Sequence, residues 1–187
     1  MGEIIVDGAG SGKAAKVDGD NRLYVAGTVQ DEATHIAQNH ASSFAWAISD
    51  NTSGAEYVLA LKNTSSDKNL YIETMRMCSD APCIWTVAFG KWSTVGGGAL
   101  VTGQNINNSV ITGADATAYM TATDLAISGN PLISSYAGAG SERLFRPDGK
   151  FVLGNGGVIY IHCSAASTAF LTALIHGFFK EPGNLIG

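Results

Sequence analysis

Short apolar runs alternate with clusters of turn-forming residues along most of this chain. The clearest run, residues 84–92, places Trp85, Val87 and Phe89 on one side of an alternating pattern. A period of two is typical of a β-strand with one buried face. Comparable runs predict further strands at residues 23–25, 44–48, 57–61, 70–77, 151–153, 158–163 and 168–180.

Turn signals separate these runs and define the fold class. Asp-Gly pairs and Asn/Gly-rich clusters supply the backbone angles of tight turns. Short strands repeated at about 8–12-residue spacing predict an all-β protein, an antiparallel β-sandwich or barrel. The long irregular middle, residues 93–141, favours jelly-roll or Greek-key connections. The predicted turns lie at residues 18–21, 49–54, 63–67, 146–149 and 154–157.

Two parts of the pattern leave alternatives open. Residues 114–126 hold the one candidate helix, although three threonines disfavour it. The last two runs, residues 158–163 and 168–180, are apolar on both faces, which indicates central strands or strands that lie against another subunit. If residues 165–167 turn a hairpin between them, His162 pairs near Leu171.

The first 21 residues differ from the rest of the chain. Five of them are glycine, and Ile4, Ile5 and Val6 form their one apolar run. Such a segment cannot form a core by itself, so we expect an extended arm that becomes ordered on docking. The chain is therefore divided into an N-terminal arm, residues 1–21, and a β-sandwich domain, residues 22–187.

Composition and charge narrow the function classes. Charged residues make up 14% of the 187 residues, against about 25% in an average soluble protein. Either a compact protein with a hydroxyl-rich exterior or a protein whose faces are covered by neighbours fits this composition. The net charge is −5 and the 11 basic residues are scattered, which argues against nucleic-acid binding.

The sequence offers no sign of a membrane or secretory role. No run reaches the roughly 18 apolar residues of a membrane span, and the N-terminus lacks a secretory signal. Cys78, Cys83 and Cys163 lack CxxC spacing, which indicates free thiols in a reducing compartment. A bridge between Cys78 and Cys83 across a turn stays open. We expect synthesis in the cytoplasm and interpret the N-x-[ST] sequons, Asn63 among them, as chance.

Candidate ligand and catalytic motifs fail at specific positions. Residues 8–13 resemble a phosphate loop, but Asp7 and Ala14 stand where glycine and a hydroxyl are required. A dinucleotide fingerprint, a calcium loop and a nucleophile elbow fail at Lys13, at Arg22, and at Ala9 and Ala139 respectively.

The remaining chemistry-bearing residues define no active site. The four histidines, His35, His40, His162 and His176, lack metal-ligand spacing on one element. The sparse loop acids give no glycosidase pair that a sequence can show; they are Asp115, Asp124, Glu142 and Asp148. We predict no catalytic residue, no metal and no cofactor, so that the chain is not an enzyme. An enzyme on this scaffold needs a cluster among these residues.

Three stretches carry a family resemblance: residues 16–25, residues 58–65 turning into 70–72, and residues 149–161. In their order they resemble head decoration (cement) proteins of tailed-phage virions, which have a jelly-roll body. The likeness rests on architectural patterns rather than on chemical signatures.

The resemblance implies a non-enzymatic virion structural protein that stabilises a phage capsid as a homotrimer on the capsid surface. Its arm would bind the major capsid protein through Ile4, Ile5, Val6, Lys13 and Lys16. Its subunit interface would use residues of the last two strands, namely Tyr160, His162, Phe170, His176 and Phe178. An arm that is ordered on docking makes attachment depend on an assembled lattice, and three copies strengthen weak contacts through effective concentration.

The alternative is a carbohydrate- or receptor-binding β-sandwich adhesin of a phage tail or head fibre. Trp46 and Trp92 are candidates for a sugar-stacking platform, together with the Asn/Gly-rich loops. Trp85 is assigned to the core because it alternates with Val87 and Phe89.

Overall fold

The structure is a computed structural model, and it describes residues 4–6, 14–17, 23–25, 42–52, 56–92, 98–106, 113–122, 125–127, 130–165 and 168–182. The chain divides into two units, Met1–Asp31 and Glu32–Gly187. Within the described residues every regular element is a β-strand. The predicted all-β class is therefore confirmed.

The first unit contains a small antiparallel sheet of three short strands. They are β1 (Ile4–Val6), β2 (Ala14–Val17) and β3 (Leu23–Val25), in the order β1-β2-β3. Lys16 of β2 lies opposite Ile4 on one side and Tyr24 on the other. The predicted arm, residues 1–21, falls in this unit and stays a prediction.

The second unit contains the longer strands. Its first half comprises β4 (Ser43–Thr52), β5 (Glu56–Asn63), β6 (Asn69–Ser79), β7 (Cys83–Trp92), β8 (Ala99–Val101), β9 (Gln104–Asn105) and β10 (Ala116–Ala122). Its second half comprises β11 (Leu125–Ile127), β12 (Ile133–Ala137), β13 (Arg143–Phe145), β14 (Phe151–Leu153), β15 (Val158–Cys163) and β16 (Thr168–Lys180).

These strands form two antiparallel sheets. Sheet I has the order β13-β6-β16-β4-β9, and β14 also pairs with β6. Sheet II has the order β11-β7-β15-β5-β10-β8, and β12 also pairs with β7. The central position predicted for the last two strands is confirmed, since β15 lies between β5 and β7 and β16 lies between β4 and β6.

The expected hairpin between the last two strands is wrong. β15 and β16 belong to different sheets, so the chain crosses from one sheet to the other after Cys163. His162 consequently lies opposite Tyr57 and Thr86 rather than near Leu171. Both strands are hydrogen-bonded on both of their sides in the middle of their own sheets. β15 pairs with β5 and β7, and β16 pairs with β4 and β6.

The strand pairs are nested along the chain. β4 pairs with β16, β5 with β15, β6 with β13 and β14, and β7 with β11 and β12. The first long strand, β4, thus pairs with the last, β16. Among these pairs, each strand that follows β4 pairs with a strand that comes earlier in the chain than the partner of the strand before it. The first four of these strands, β4 to β7, lie alternately in sheet I and sheet II, as do the last three, β14 to β16.

The core lies between the two sheets. Its largest members from sheet I include Trp46, Ile72 and Ile175, and those from sheet II include Trp85 and Ile161. In β7, Trp85 and Val87 are fully buried while Ile84 is exposed, which confirms the alternation that the sequence predicts.

The candidate helix at residues 114–126 is wrong. Residues 116–122 form β10, which pairs with β5 on one side and with β8 on the other. Threonine and tyrosine suit a strand with partners on both sides better than a helix. The long-range pairing therefore decides the conformation of this segment.

Two predicted turns are confirmed in detail. Asp148 and Gly149 both have positive φ, 50° and 72°, and Lys150 N donates to Pro147 O at 3.0 Å. This is the geometry that Asp-Gly pairs adopt in tight turns. Gly156 has φ 74° in the turn that Gly157 N closes by donating to Gly154 O at 2.9 Å.

Candidate interaction surfaces

The outward face of sheet II is apolar at its centre. The isoleucines of β15 join the core between the sheets, so Val158, Tyr160 and His162 lie on the outward side. Val158 and Tyr160 are nevertheless buried, in a second cluster with Ala60 and Ala88. The outward face of an antiparallel sheet commonly carries polar side chains, and this centre departs from that rule.

Aromatic rings extend this cluster. Tyr57 lies edge-to-face against Tyr160 and against His162, with ring centroids 5.0 Å and 5.3 Å apart. A bulge at His162 brings that residue opposite Tyr57. Burial, with a smaller contribution from Tyr57, raises the pKa of the Tyr160 phenol. Burial lowers the pKa of the His162 imidazole, which is therefore largely uncharged at neutral pH.

Large apolar side chains are exposed around this centre. Tyr136 is 64% exposed and Ile84 is 45% exposed, and they lie directly opposite each other on β12 and β7. Leu100, 64% exposed, lies opposite Tyr119 on β8 and β10. Among the described outward side chains of β5, β7, β12 and β15, Lys62 carries the one charge. This face is therefore rich in aromatic and aliphatic surface and poor in charge.

The outward face of sheet I carries His176 and Phe178 of β16. The His176 Nε2 is 3.0 Å from the Ser43 hydroxyl oxygen, and burial lowers the pKa of this imidazole. Phe178 is buried and stacks on Tyr71, with ring centroids 5.3 Å apart and an interplanar angle of 5°.

A shallow depression of about 260 Å³ lies further along the outward face of sheet I. Ala47, Thr172 and Leu174 line it, together with Arg76 and Glu142. The Arg76 Nε and the Glu142 Oε1 are 4.0 Å apart, and both side chains are more than half exposed. An ion pair with that exposure contributes little stability, and the depression combines small apolar side chains with two exposed charges.

The structure does not bring the five predicted interface residues into one patch. Tyr160 and His162 lie on the outward face of sheet II, whereas His176 and Phe178 lie on the outward face of sheet I. Phe170, near the start of β16, is 49% exposed. The alternating pattern of the sequence predicts which face of its own strand each residue occupies. It does not predict that the two strands belong to different sheets.

The residues predicted for the arm are placed only in part. Ile4, Ile5 and Val6 form β1, and Lys16 belongs to β2. Lys13 lies outside the described residues. Their contact with a capsid protein stays a prediction.

The tryptophans correct one expectation of the adhesin hypothesis. Trp46 and Trp85 are both fully buried. Trp85 therefore belongs to the core, as predicted, but Trp46 cannot be part of an exposed sugar-stacking platform. The side chain of Trp92 lies outside the described part of the chain, as do His35 and His40.

The described residues bring together no metal centre. No group of three or more His, Cys, Asp or Glu side chains among them is arranged to hold a metal ion. Cys78 and Cys83 are both free thiols, so the possible bridge between them is not formed. In the same described ranges, no helix has the length and apolar character that a membrane crossing requires.

A buried polar site was not predicted from the sequence. Asn63 is fully buried at the end of β5, and its amide nitrogen donates to Lys68 O at 2.9 Å and to Leu153 O at 2.8 Å. Its amide oxygen accepts from Ser65 N at 2.9 Å. The side chain joins the 63–68 loop to β14, and its burial leaves no room for a glycan at this sequon. An asparagine directly before a Thr-Ser-Ser-Asp turn was the available signal.

Together these features define an antiparallel β-sandwich protein in which the outward face of sheet II is apolar at its centre and the outward face of sheet I carries both apolar and charged side chains. Comparison with protein-family models, with curated proteins and with solved structures finds no match to this chain.

Proposed function

We propose that this chain is a non-enzymatic virion structural protein that binds the major capsid protein, decorates and stabilises a phage capsid, and assembles as a homotrimer. The observation that carries the proposal is the outward face of sheet II, where exposed Ile84, Leu100 and Tyr136 surround a buried aromatic centre. Tyrosine-rich, charge-poor surface is typical of the middle of protein–protein interfaces. Such a face is better explained by a covering neighbour than by permanent contact with water.

The nested strand pairs support a jelly-roll body. A chain whose first long strand pairs with its last, and whose next strands pair in the same nested order, is compatible with the connections of a double Greek key. Viral capsid domains and lectin domains share this architecture. The architecture alone does not define a function, so the proposal depends on the surfaces.

The outward face of sheet II supports assembly with further copies of the chain. An interface between identical patches needs one apolar face per subunit, whereas a ring needs two different patches that complement each other. This sandwich has apolar outward residues on both sheets, at Tyr136 on one side and around Leu174 on the other. The outward faces of the two sheets point in opposite directions, so packing one on the other would give an open row of copies. We therefore propose that the subunit interface of the trimer uses the outward face of sheet II.

The experiment for this proposal measures binding to phage heads that lack the protein. Tyr136→Lys places a charge in the outward face of sheet II, and Ser66→Lys places the same charge on an exposed loop as the matched control. We expect wild type and Ser66→Lys to co-sediment with heads, and Tyr136→Lys to lose at least tenfold in affinity, because a chain that does not assemble loses the multivalent attachment of three arms. Equal binding of all three proteins would remove sheet II from the proposal.

The arm is tested by deleting residues 1–21. We expect the truncated protein to keep the wild-type number of subunits and to lose head binding, because the arm supplies contacts to the capsid and not between subunits. Head binding as strong as that of the full chain would show that the arm has no such role.

A carbohydrate-binding adhesin is the second candidate, favoured by the 64% exposed ring of Tyr136. Exposed aromatic rings can pack against the apolar faces of other molecules. Glycan-array binding that Tyr136→Ala abolishes, in a protein that does not bind heads, would favour the adhesin over capsid decoration.

A further inference from the structure

Asn155 and Gly156 form the one Asn-Gly pair of the chain. They are the two central residues of the turn between β14 and β15, which Gly157 N closes by donating to Gly154 O. Gly156 has φ 74° whereas Asn155 has a negative φ, which is the pattern of a type II turn. Both central residues are exposed to solvent.

An Asn-Gly pair contains both partners of an intramolecular reaction. The backbone nitrogen of the residue after an asparagine can attack the side-chain amide carbon and close a five-membered succinimide ring. Glycine in that place has no Cβ to hinder the attack, and asparagine is one of the thermolabile residues of proteins. The sequence and the exposure therefore point to Gly156 N as the nucleophile and to the Asn155 Cγ as its target.

The fold holds both reacting groups on the loop that follows β5. Gly156 N donates to Asn63 O at 2.9 Å, and the Asn155 Nδ2 donates to Ser65 O at 2.6 Å. Asn63 and Ser65 are themselves buried. The nucleophile and the leaving group are thus each held by a backbone carbonyl from a distant part of the chain, and both hydrogen bonds have to break before the ring can close.

We propose that Asn155 is a deamidation site whose reaction is restrained by the carbonyl groups of Asn63 and Ser65. In the first step, Gly156 N loses its proton and bonds to the Asn155 Cγ, and the bond from Cγ to Nδ2 breaks so that ammonia leaves. In the second step, one water molecule adds to either carbonyl carbon of the succinimide and opens the ring. The product is aspartate or isoaspartate at position 155. The chain gains one water and loses one ammonia, and no atom is oxidised or reduced.

The product weakens the contact between the turn and the loop. A carboxylate cannot donate to Ser65 O, and it brings a negative charge to a loop in which the Asp67 Oδ1 already accepts from the Ser65 hydroxyl. Isoaspartate also adds one backbone carbon to a turn of four residues. We expect the midpoint of thermal unfolding of the deamidated protein to lie about 2–4 °C below that of the unmodified chain.

The test follows each asparagine by peptide mapping while the full chain is kept at pH 8.5 and 37 °C, once folded and once unfolded in guanidinium chloride. We expect conversion at position 155 in both samples, at a rate roughly tenfold lower in the folded chain, since two hydrogen bonds have to break first. Asn69, which Leu70 follows, is the internal comparison and should react much more slowly in the unfolded chain. Gly156→Ala should slow the conversion of Asn155 in guanidinium chloride, where the folding of the variant does not matter.

Three results would overturn the proposal. Equal or faster conversion in the folded chain would show that the two carbonyl groups do not restrain the site. A folded chain that stays unmodified at position 155 for about two hundred half-lives of the unfolded reaction, more than two hydrogen bonds can account for, would show that the site is closed in the native protein. An unfolded chain in which Asn155 reacts no faster than Asn69 would show that the pair is not reactive.

Discussion

The indole of Trp46 leaves no space for a Cβ atom at position 103, which is a glycine. A Cβ at Gly103 would lie 2.5 Å from the Trp46 Nε1 and 2.8 Å from its Cε2. The indole is fully buried and cannot move aside without disturbing its neighbours. Its Nε1 also has no hydrogen-bond partner among the described residues. The glycine is thus required for space, and not for its backbone freedom.

Gly103→Ala is expected to lower the free energy of unfolding by about 1–3 kcal/mol, because overpacking forces the core to shift. Trp46→Phe removes the clashing atoms, so the alanine should cost less in that background, and a double-mutant cycle in urea measures the difference. Gly113→Ala is the control, since its Cβ would meet no atom within 4 Å. Equal costs of Gly103→Ala in both backgrounds would contradict the contact.

Asn63 is a second residue on which several groups depend. Asn63→Ala leaves two carbonyls and one amide without their partners in a buried site. Each lost partner costs about 1–3 kcal/mol, so we expect a loss of about 3 kcal/mol or more in urea unfolding. Asn155→Ala removes a hydrogen bond to Ser65 O from an exposed residue and should cost under about 1 kcal/mol. Similar losses in the two variants would contradict the central role of Asn63.

At the scale of elements, the strands with a local signal were predictable. The prediction for β15, residues 158–163, and for β16, residues 168–180, matches the observed bounds. Their periodic apolar patterns are properties of the strand itself. Residues 93–141 gave no such signal, because strands there are short and depend on partners far along the chain. β10 is the clearest case, since its partners β5 and β8 decide that it is not a helix.

β16 also contains a histidine, His176, whose titration is expected to make the stability of the fold depend on pH. His176 lies between Ala45 of β4 and Thr74 of β6 and contacts Ser43, so no charged side chain stands directly opposite it. Burial lowers the pKa of its imidazole in the folded protein below the ordinary 6.5. The unfolded chain therefore takes up a proton at a higher pH than the folded protein. Stability contributed by the neutral imidazole is present above pH 6.5 and is lost as the pH falls below it.

We therefore expect the free energy of unfolding to fall between pH 7.5 and pH 5.5 in wild type, and to fall less in His176→Gln. Glutamine keeps a hydrogen-bonding group near Ser43 but does not titrate. His162→Gln is the parallel variant, because burial lowers the pKa of that imidazole as well. An unchanged pH dependence in both variants would show that neither histidine is the cause.

At the scale of the whole molecule, the strand pairing could not be predicted from the sequence. The central positions of β15 and β16 followed from their apolar faces, but their assignment to different sheets did not. That assignment is set by β4, which lies more than a hundred residues before β16, and by β5, which lies about a hundred residues before β15. Because β15 and β16 belong to different sheets, the predicted interface residues lie on two opposite outward faces of the sandwich. The sequence did not predict Tyr136 as a surface residue, because the strand that contains it, β12, is defined by its pairing with β7.

The apolar outward face of sheet II leads to the proposal of a closed assembly. If the outward face of sheet II lies in the interface between copies, its exposed aromatic and aliphatic side chains are covered by neighbours. A chain with this face that stayed single would expose Tyr136, Ile84 and Leu100 to water. The low content of charged residues, 14%, fits a surface that is largely covered.

Native mass spectrometry of the full chain, from low to high micromolar concentration, tests this account most directly. The account predicts a species with three times the 19.4 kDa mass of the chain, which Tyr136→Lys shifts toward the single chain while Ser66→Lys does not. A wild-type protein that stays at the mass of one chain at every concentration would contradict the account.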